Sequence, residues 1–157
     1  MKNLLSILRF LVFLCNFAPC MITELSILIP VYNGNVCSAV KQLSTLCERI
    51  AMDAPSPFRY EILVADDGSE QKEIVEANEV INQLPHCRYI IREQNSGSAA
   101  TRNFLASQSQ YEWLLFMDCD MEIPGMDYIM RYLPCDQTEV TNGGIKVGAC
   151  QETHRHN

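Results

Sequence analysis

Three polar clusters in this 157-residue chain have the residue types to handle a phosphorylated ligand. The first is Asp118-Cys119-Asp120. Two carboxylates with one residue between them can share a hard divalent cation, Mg²⁺ or Mn²⁺, and leave positions for phosphate oxygens. The second is Asp66-Asp67-Gly68-Ser69. Asp and Ser suit helix N-caps and Gly suits a tight turn, yet capping does not need two adjacent acids. One of the pair is left to face a ligand, for instance to accept an N–H from a nucleobase. The third is Asn95-Ser96-Gly97-Ser98 with Arg102-Asn103 behind it. Gly97 permits close backbone approach at a helix start, and Arg102 lies about one turn further in. Arg102 is placed to meet a phosphate, to brace Asp66 or Asp118, or simply to form a surface salt bridge. Taken singly, each cluster also reads as a solvated loop or a cap, and a lone D-x-D is common.

The clusters gain weight from the elements that precede them. Leu25–Val31 is a short apolar run that ends in Tyr32-Asn33-Gly34, a turn signal. Asn35 can cap a helix through about Met52, with Val36, Val40, Leu43, Cys47 and Ile50 on one side and Leu46 beside them. Tyr60–Ala65 reads as a second strand, Glu70 to about Ile81 as a second helix, and Cys87–Arg92 as a third strand. A helix through about Ser109 follows Gly97, then a fourth strand at Trp113–Met117. A short helix near Asp127–Leu133 and a strand near Glu139–Thr141 precede Gly143-Gly144. Strands separated by helices imply right-handed crossovers. The fold class is therefore α/β: three layers, a mainly parallel sheet with helices on both faces. In such sheets ligands collect beyond the carboxyl ends of the strands. The patches at Tyr32, Asp66 and Asp118 all lie at such ends, so distant sequence should converge on one edge.

Bulk composition narrows the partners. With 48% hydrophobic and 20% charged residues, the chain has enough apolar material for a core and does not read as disordered. The net charge of −7 repels a phosphate backbone, so nucleic acid is not an expected partner. An acidic protein that binds an anionic small molecule needs local help from a metal ion or a helix N-terminus. The eight cysteines show no C-x-x-C pair and no zinc spacing with the three histidines, and read as reduced, mostly buried thiols.

Four segments together resemble the inverting family-two glycosyltransferases of the GT-A fold. They are Leu-Ser-Ile-Leu-Ile-Pro-Val-Tyr-Asn-Gly, Glu-Ile-Leu-Val-Ala-Asp-Asp-Gly-Ser, Asn-x-Gly-x-x-x-x-Arg-Asn, and Leu-Leu-Phe-Met-Asp-Cys-Asp. Their order and spacing match as well, over roughly Leu25 to Gly144. The resemblance implies that Pro30 and Tyr32 line a nucleobase pocket and that Asp67 binds the base, usually uracil. It implies that Asp118 and Asp120 hold the ribose or sugar and the metal, Mn²⁺ or Mg²⁺, on the diphosphate, with Asp120 as the metal residue. Asp66, Asn95, Gly97 and Arg102 would support that site. The implied partner is a UDP-linked nucleotide sugar, and the implied reaction moves its sugar to an acceptor hydroxyl with inversion.

Other readings fit less well. A haloacid-dehalogenase-type hydrolase carries Thr or Val where Glu122 stands, and usually places its D-x-D on the first strand. A nucleotidyltransferase opens with a Gly-rich loop, and a Rossmann dehydrogenase with G-x-G-x-x-G; Val31-Tyr32-Asn33-Gly34 supplies neither. A non-catalytic nucleotide-binding module, or an inactive remnant, shares every motif with the enzyme.

The ends carry their own expectations. Leu4 to Ala18 is apolar but shorter than a comfortable membrane span. It reads as sequence upstream of a start at Met21, as a segment that associates with the membrane surface, or as a signal-like leader. Nucleotide chemistry favours the cytoplasm, at the inner face of the membrane where such a segment binds. The domain runs from 21 to 144, and residues 145–157 form a polar tail. The family's general base lies on a later segment, and nothing around Glu152 resembles it. The catalytic residue is unassigned, and the expectation is a chain that is incomplete at the C-terminus and holds the donor-binding half. An open apolar sheet edge would then favour self-association.

Overall fold

A strand that is apolar at nearly every position is stable only with both of its faces covered. Two such strands form the centre of this protein. The computed structural model describes residues 21–54 and 56–134. The chain runs β1 (Glu24–Val31), α1 (Cys37–Asp53), β2 (Arg59–Asp66), α2 (Lys72–Glu79), β3 (Cys87–Ile91), α3 (Ser98–Gln108) and β4 (Leu114–Phe116). Single 3₁₀ turns follow at Val80–Gln83, after α2, and at Ile129–Arg131, after β4.

The four strands form one parallel sheet in the order β3-β2-β1-β4. β1 and β2 pair along their whole length, from Glu24↔Arg59 to Val31↔Asp66. β3 continues outward from β2, whereas β4 lies on the other side of β1, with Ser26↔Leu114 to Leu28↔Phe116 in register. The strand order thus reverses between β1 and β4, and that reversal opens a crevice at the carboxyl ends.

Alternation along β1 and β2 divides the core in two. Leu25, Ile27, Ile29 and Val31, with Tyr60, Ile62 and Val64, pack against Val36, Val40, Leu43, Cys47 and Ile50 at α1. Leu28, Leu63 and Ala65 point to the other face and meet Leu105, with Phe104 and Ala106, on α3. Helices cover both faces, as the strand–helix alternation requires. The second face also buries a polar pair. The Ser26 hydroxyl and the Gln110 N–H both donate to Glu61 Oε1 at 2.6 Å, which ties the end of α3 to the sheet.

Several boundaries differ from the sequence expectation for physical reasons. α2 starts at Lys72 rather than Glu70, because Asn33 Oδ1 accepts the Glu70 and Gln71 N–H groups and holds them in a turn. The helix expected through Leu133 is a single 3₁₀ turn at Ile129–Arg131. β3 and β4 are each shorter by one or two residues, although Arg92 N and Met117 N still bond to Asp66 O and Leu28 O. On β4, Leu114 and Phe116 stay exposed at 37% and 42%, beyond the cover of α3. No helix among the described residues is long and apolar enough to cross a membrane. The leader 1–20, the strand near Glu139–Thr141, Gly143-Gly144 and the tail 145–157 lie outside the described residues.

Candidate functional site

The two acids at the end of β2, Asp66 as its last residue and Asp67 just beyond, have different tasks. Asp66 is fully buried. Its Oδ1 accepts the Ser69 N–H at 2.6 Å and its Oδ2 accepts the Tyr89 hydroxyl at 2.5 Å. Burial first, and the Asp66 bond second, push the Tyr89 phenol well above its ordinary range, so it stays a donor. Asp66 therefore shapes the turn and has neither oxygen turned to solvent. Arg102 does not brace it.

Asp67 holds the loop after β3. Its Oδ1 accepts Arg92 Nη1 at 2.8 Å and the Ser96 N–H at 3.0 Å, and its Oδ2 accepts the Gly97 N–H at 2.7 Å. Burial alone would push this carboxyl up. The Ser96 N–H, the Thr101 hydroxyl, the Gly97 N–H and the Arg92 guanidinium outweigh that and hold it below the usual range. It is a carboxylate, and an acceptor only, at any pH near neutrality.

Two glycines make that contact feasible, in roles opposite to the one expected of Gly97. A Cβ on Gly97 would meet nothing within 4 Å; this residue is needed for its φ of +88° at the start of α3. The close approach occurs at Gly68, where a Cβ would lie 2.7 Å from Asn95 N and from Gln94 C. The 94–97 loop can sit on the β2 turn only because that side chain is missing. Asn95 Oδ1 closes the loop on the Gly97 N–H at 3.0 Å.

The other clusters meet at the same edge. Asn33, at φ +51°, donates its N–H to Ser69 Oγ at 2.7 Å, which joins the β1 and β2 loops. Asn78 on α2 is fully buried; it accepts the Val36 N–H at 3.0 Å and donates to Gly34 O at 2.9 Å. A Cβ at Gly34 would come 3.7 Å from the Cys119 sulfur, so the loops after β1 and β4 are in contact. Arg102 pairs with Asp118 and with the Ser98 hydroxyl. α3 thus spans the site: the Gly97 N–H before it meets Asp67 at the end of β2, and Arg102 meets Asp118 at the end of β4. Half-buried Pro30 on β1 and exposed Tyr32 just after it lie between them. Asp67 and Asp118 follow strands two places apart, ~10 Å at the usual strand spacing.

The sequence profile of Glycosyl transferase family 2 matches residues 26–140. The chain belongs to glycosyl transferase family 2. A chondroitin synthase of Escherichia coli is 32% identical to the family-2 chain over 114 residues, 71% of this chain and 15% of the relative. An uncharacterized glycosyltransferase of Haemophilus influenzae is 33% identical over 96 residues, 61% of this chain and 29% of the relative. The chain therefore spans less than a third of either one. Among solved structures, the mannosyltransferase PcManGT of Pyrobaculum calidifontis in complex with GDP-Man and Mn²⁺ superposes with a TM-score of 0.51. The identity is 15%, over 66% of this chain and 29% of that one, and the likeness is one of fold. Staphylococcal TarS 1–349 in complex with UDP-GlcNAc gives 0.46 at 23% identity, over 69% of this chain and 30% of that one.

The family-2 chain offers a divalent cation few ligands of its own. Among the described residues no three His, Cys, Asp or Glu side chains gather into a metal site. Asp120 is exposed, and no hydrogen bond or ion pair among the described residues engages its carboxylate. That open carboxylate fits Mg²⁺ or Mn²⁺ as one ligand, provided that phosphate oxygens and waters complete the shell. Cys119 between the two acids is a protonated thiol, pushed up by burial and then by Asp120 and Asp118.

Arg92, Tyr89, Asn78 and Thr101 were not singled out from sequence. Asn78 left a trace: it falls three residues from both Val75 and Ile81 on the inner side of its helix, where a polar residue needs partners. Arg92 stands directly after β3, at the same edge as the acids, but nothing in its neighbours names Asp67 as its partner. A groove of about 500 Å³ opens at the opposite end of the strands, between Ile22, Leu46, Ile50, Phe58 and Leu133. It lies away from the acids, the Arg102–Asp118 pair and the 94–97 loop at the carboxyl ends, and apolar side chains predominate in it.

Proposed function

We propose that this chain is the donor-binding part of an inverting glycosyltransferase that uses a UDP-linked sugar. The observation that supports it most is the joining of three strand ends into one edge at the β1/β4 reversal, through Asp67 at one side and the Arg102–Asp118 pair at the other. The ~10 Å between those sides, two strand spacings, suits a nucleoside diphosphate lying across the edge. The base would sit at Pro30, Tyr32 and Asp67, with Asp67 accepting its N–H. Asp118 would face the ribose or sugar. Asp120 would hold the cation, which supplies positive charge to the diphosphate as it departs. Arg102 would share its charge between Asp118 and the nearest phosphate oxygen.

In the transfer, the acceptor hydroxyl forms a bond to the anomeric carbon as the bond to the diphosphate oxygen breaks on the opposite face. The hydroxyl proton passes to a general base, which remains unassigned. We place the reaction on the cytoplasmic side, with the apolar residues 4–18 at the inner membrane face. Exposed Leu114 and Phe116 on β4 support self-association through that edge.

The test is an isothermal titration of the chain with UDP, with and without Mn²⁺. Binding that needs Mn²⁺ and disappears in Asp120→Ala supports the reading. A folded chain that binds no UDP in Mn²⁺ removes it and leaves an inactive remnant.

A further inference from the structure

The Asp67 carboxylate is unevenly occupied. Two donors, Arg92 Nη1 and the Ser96 N–H, fill both lone pairs of Oδ1. Among the described residues Oδ2 takes the Gly97 N–H as its one hydrogen bond, and the nearby Thr101 hydroxyl is engaged as the acceptor of Arg92 Nη1, so Oδ2 keeps one lone pair. A free carboxylate can receive two adjacent N–H donors, one on each oxygen; this one can receive only one. Arg92 is what closes the second oxygen, and it is firmly held. Its Nη1 also donates to Thr101 Oγ1 at 2.6 Å and its Nη2 to Ser96 Oγ at 3.2 Å. Its guanidinium lies 5.1 Å from the Phe104 ring centroid, and its side chain is 21% exposed.

We infer that Arg92 is a specificity-determining residue of the donor site: by occupying Asp67 Oδ1 it leaves one acceptor, which matches the single N–H of a uracil imide and rejects the paired N–H donors of guanine. This inference rests on the proposal that Asp67 meets the base. Guanine presents its ring N–H and its amino group side by side. With Oδ1 taken, one of these donors enters the site without a partner, and an unpaired donor in a desolvated site is strongly disfavoured. Uracil leaves no donor unmet. Arg92 touches neither base, so it acts through Asp67 as a positioning residue.

The experiment titrates the full 157-residue chain with UDP and with GDP in Mn²⁺, beside Arg92→Met and Arg92→Lys. Thermal melts report folding. The parent chain is expected to prefer UDP by on the order of 10-fold or more. Arg92→Met, which frees Oδ1 while keeping an apolar stem on Phe104, is expected to narrow the UDP/GDP ratio by about 10-fold. Arg92→Lys keeps a donor on Oδ1 and is expected to retain the preference. A purely structural Arg92 would weaken both nucleotides alike and leave their ratio unmoved, and that result in a folded Arg92→Met overturns the inference. Should Arg92→Met fail to fold, a parent chain that prefers GDP, or a folded Arg92→Lys that loses its UDP preference, overturns it equally. A parent chain that binds UDP with an unmoved ratio in the variant defeats only the role of Arg92. A parent chain that binds neither nucleotide defeats the donor-site reading and this inference with it.

Discussion

Replacing Asp67 by Asn keeps the shape of the side chain and removes its charge. Three N–H donors converge on this carboxylate, from Arg92, Ser96 and Gly97. An amide has one carbonyl oxygen and one NH₂, so whichever way it turns, a donor faces a donor. Hydrogen bonds to a charged group contribute about 1.5–3 kcal/mol each, and breaking a fully buried ion pair costs about 3–5 kcal/mol. The Arg92 side chain is 21% exposed, so water compensates in part. The expected loss is about 2–4 kcal/mol. Asp118→Asn is the control: its side chain is 58% exposed and that of its Arg102 partner 38%, so it should cost at most about 1 kcal/mol. Urea unfolding of the three chains at pH 7 gives these differences. The pH course gives a second check. The folded Asp67 carboxyl lies below its ordinary value of 3.8, so the unfolded chain takes up its proton first. The stabilisation is complete well above pH 3.8 and is lost as the pH falls through that value and on through the folded one. The gap between parent and Asp67→Asn must therefore shrink on acidification. An Asp67→Asn loss under about 0.5 kcal/mol at pH 7, or a gap that widens in acid, would refute the reasoning.

Gly68→Ala should destabilise by about 2–5 kcal/mol, from left-handed strain at φ +72° plus overlap with the Gln94–Asn95 backbone, and should weaken UDP binding by displacing the 94–97 loop; urea unfolding and titration check both. Leu105→Ala empties the smaller core cluster and should cost about 2–5 kcal/mol in urea unfolding with little change in UDP affinity once folded. Phe116→Lys should shift the chain toward monomer in sedimentation velocity, since it places a charge on the exposed face of the edge strand; an unchanged distribution would set the β4 edge aside as the contact.

The framework was legible because its signals are local. Leu25–Val31 and Tyr60–Ala65 are continuous apolar runs closed by turn residues, and the apolar spacing from Val36 to Ile50 gives one helix with one buried side. The strand ends then located Tyr32, Asp67 and Asp118 on one edge without any knowledge of contacts. What escaped depends on which loop overlies which. Gly97 was expected at a close approach and Gly68 only in a turn, yet the 94–97 loop folds onto Gly68 while the space beside Gly97 is open. The order β3-β2-β1-β4 puts Arg92 beside Asp67, and no residue near Arg92 in sequence announces that neighbour. Arg102 had three candidate partners, and only the placement of β4 beyond β1 selects Asp118.

The placement of a nucleotide across the strand ends can be read residue by residue from amide chemical shifts of the labelled chain, recorded as UDP is added in Mg²⁺. The expected result is a joint set of changes at Tyr32, at Ser96 and Gly97, and at Asp118 to Asp120, all saturating at one concentration. Changes confined to the groove around Ile22 and Phe58 at the far end of the sheet, or none in a folded chain, would contradict a donor site at this edge.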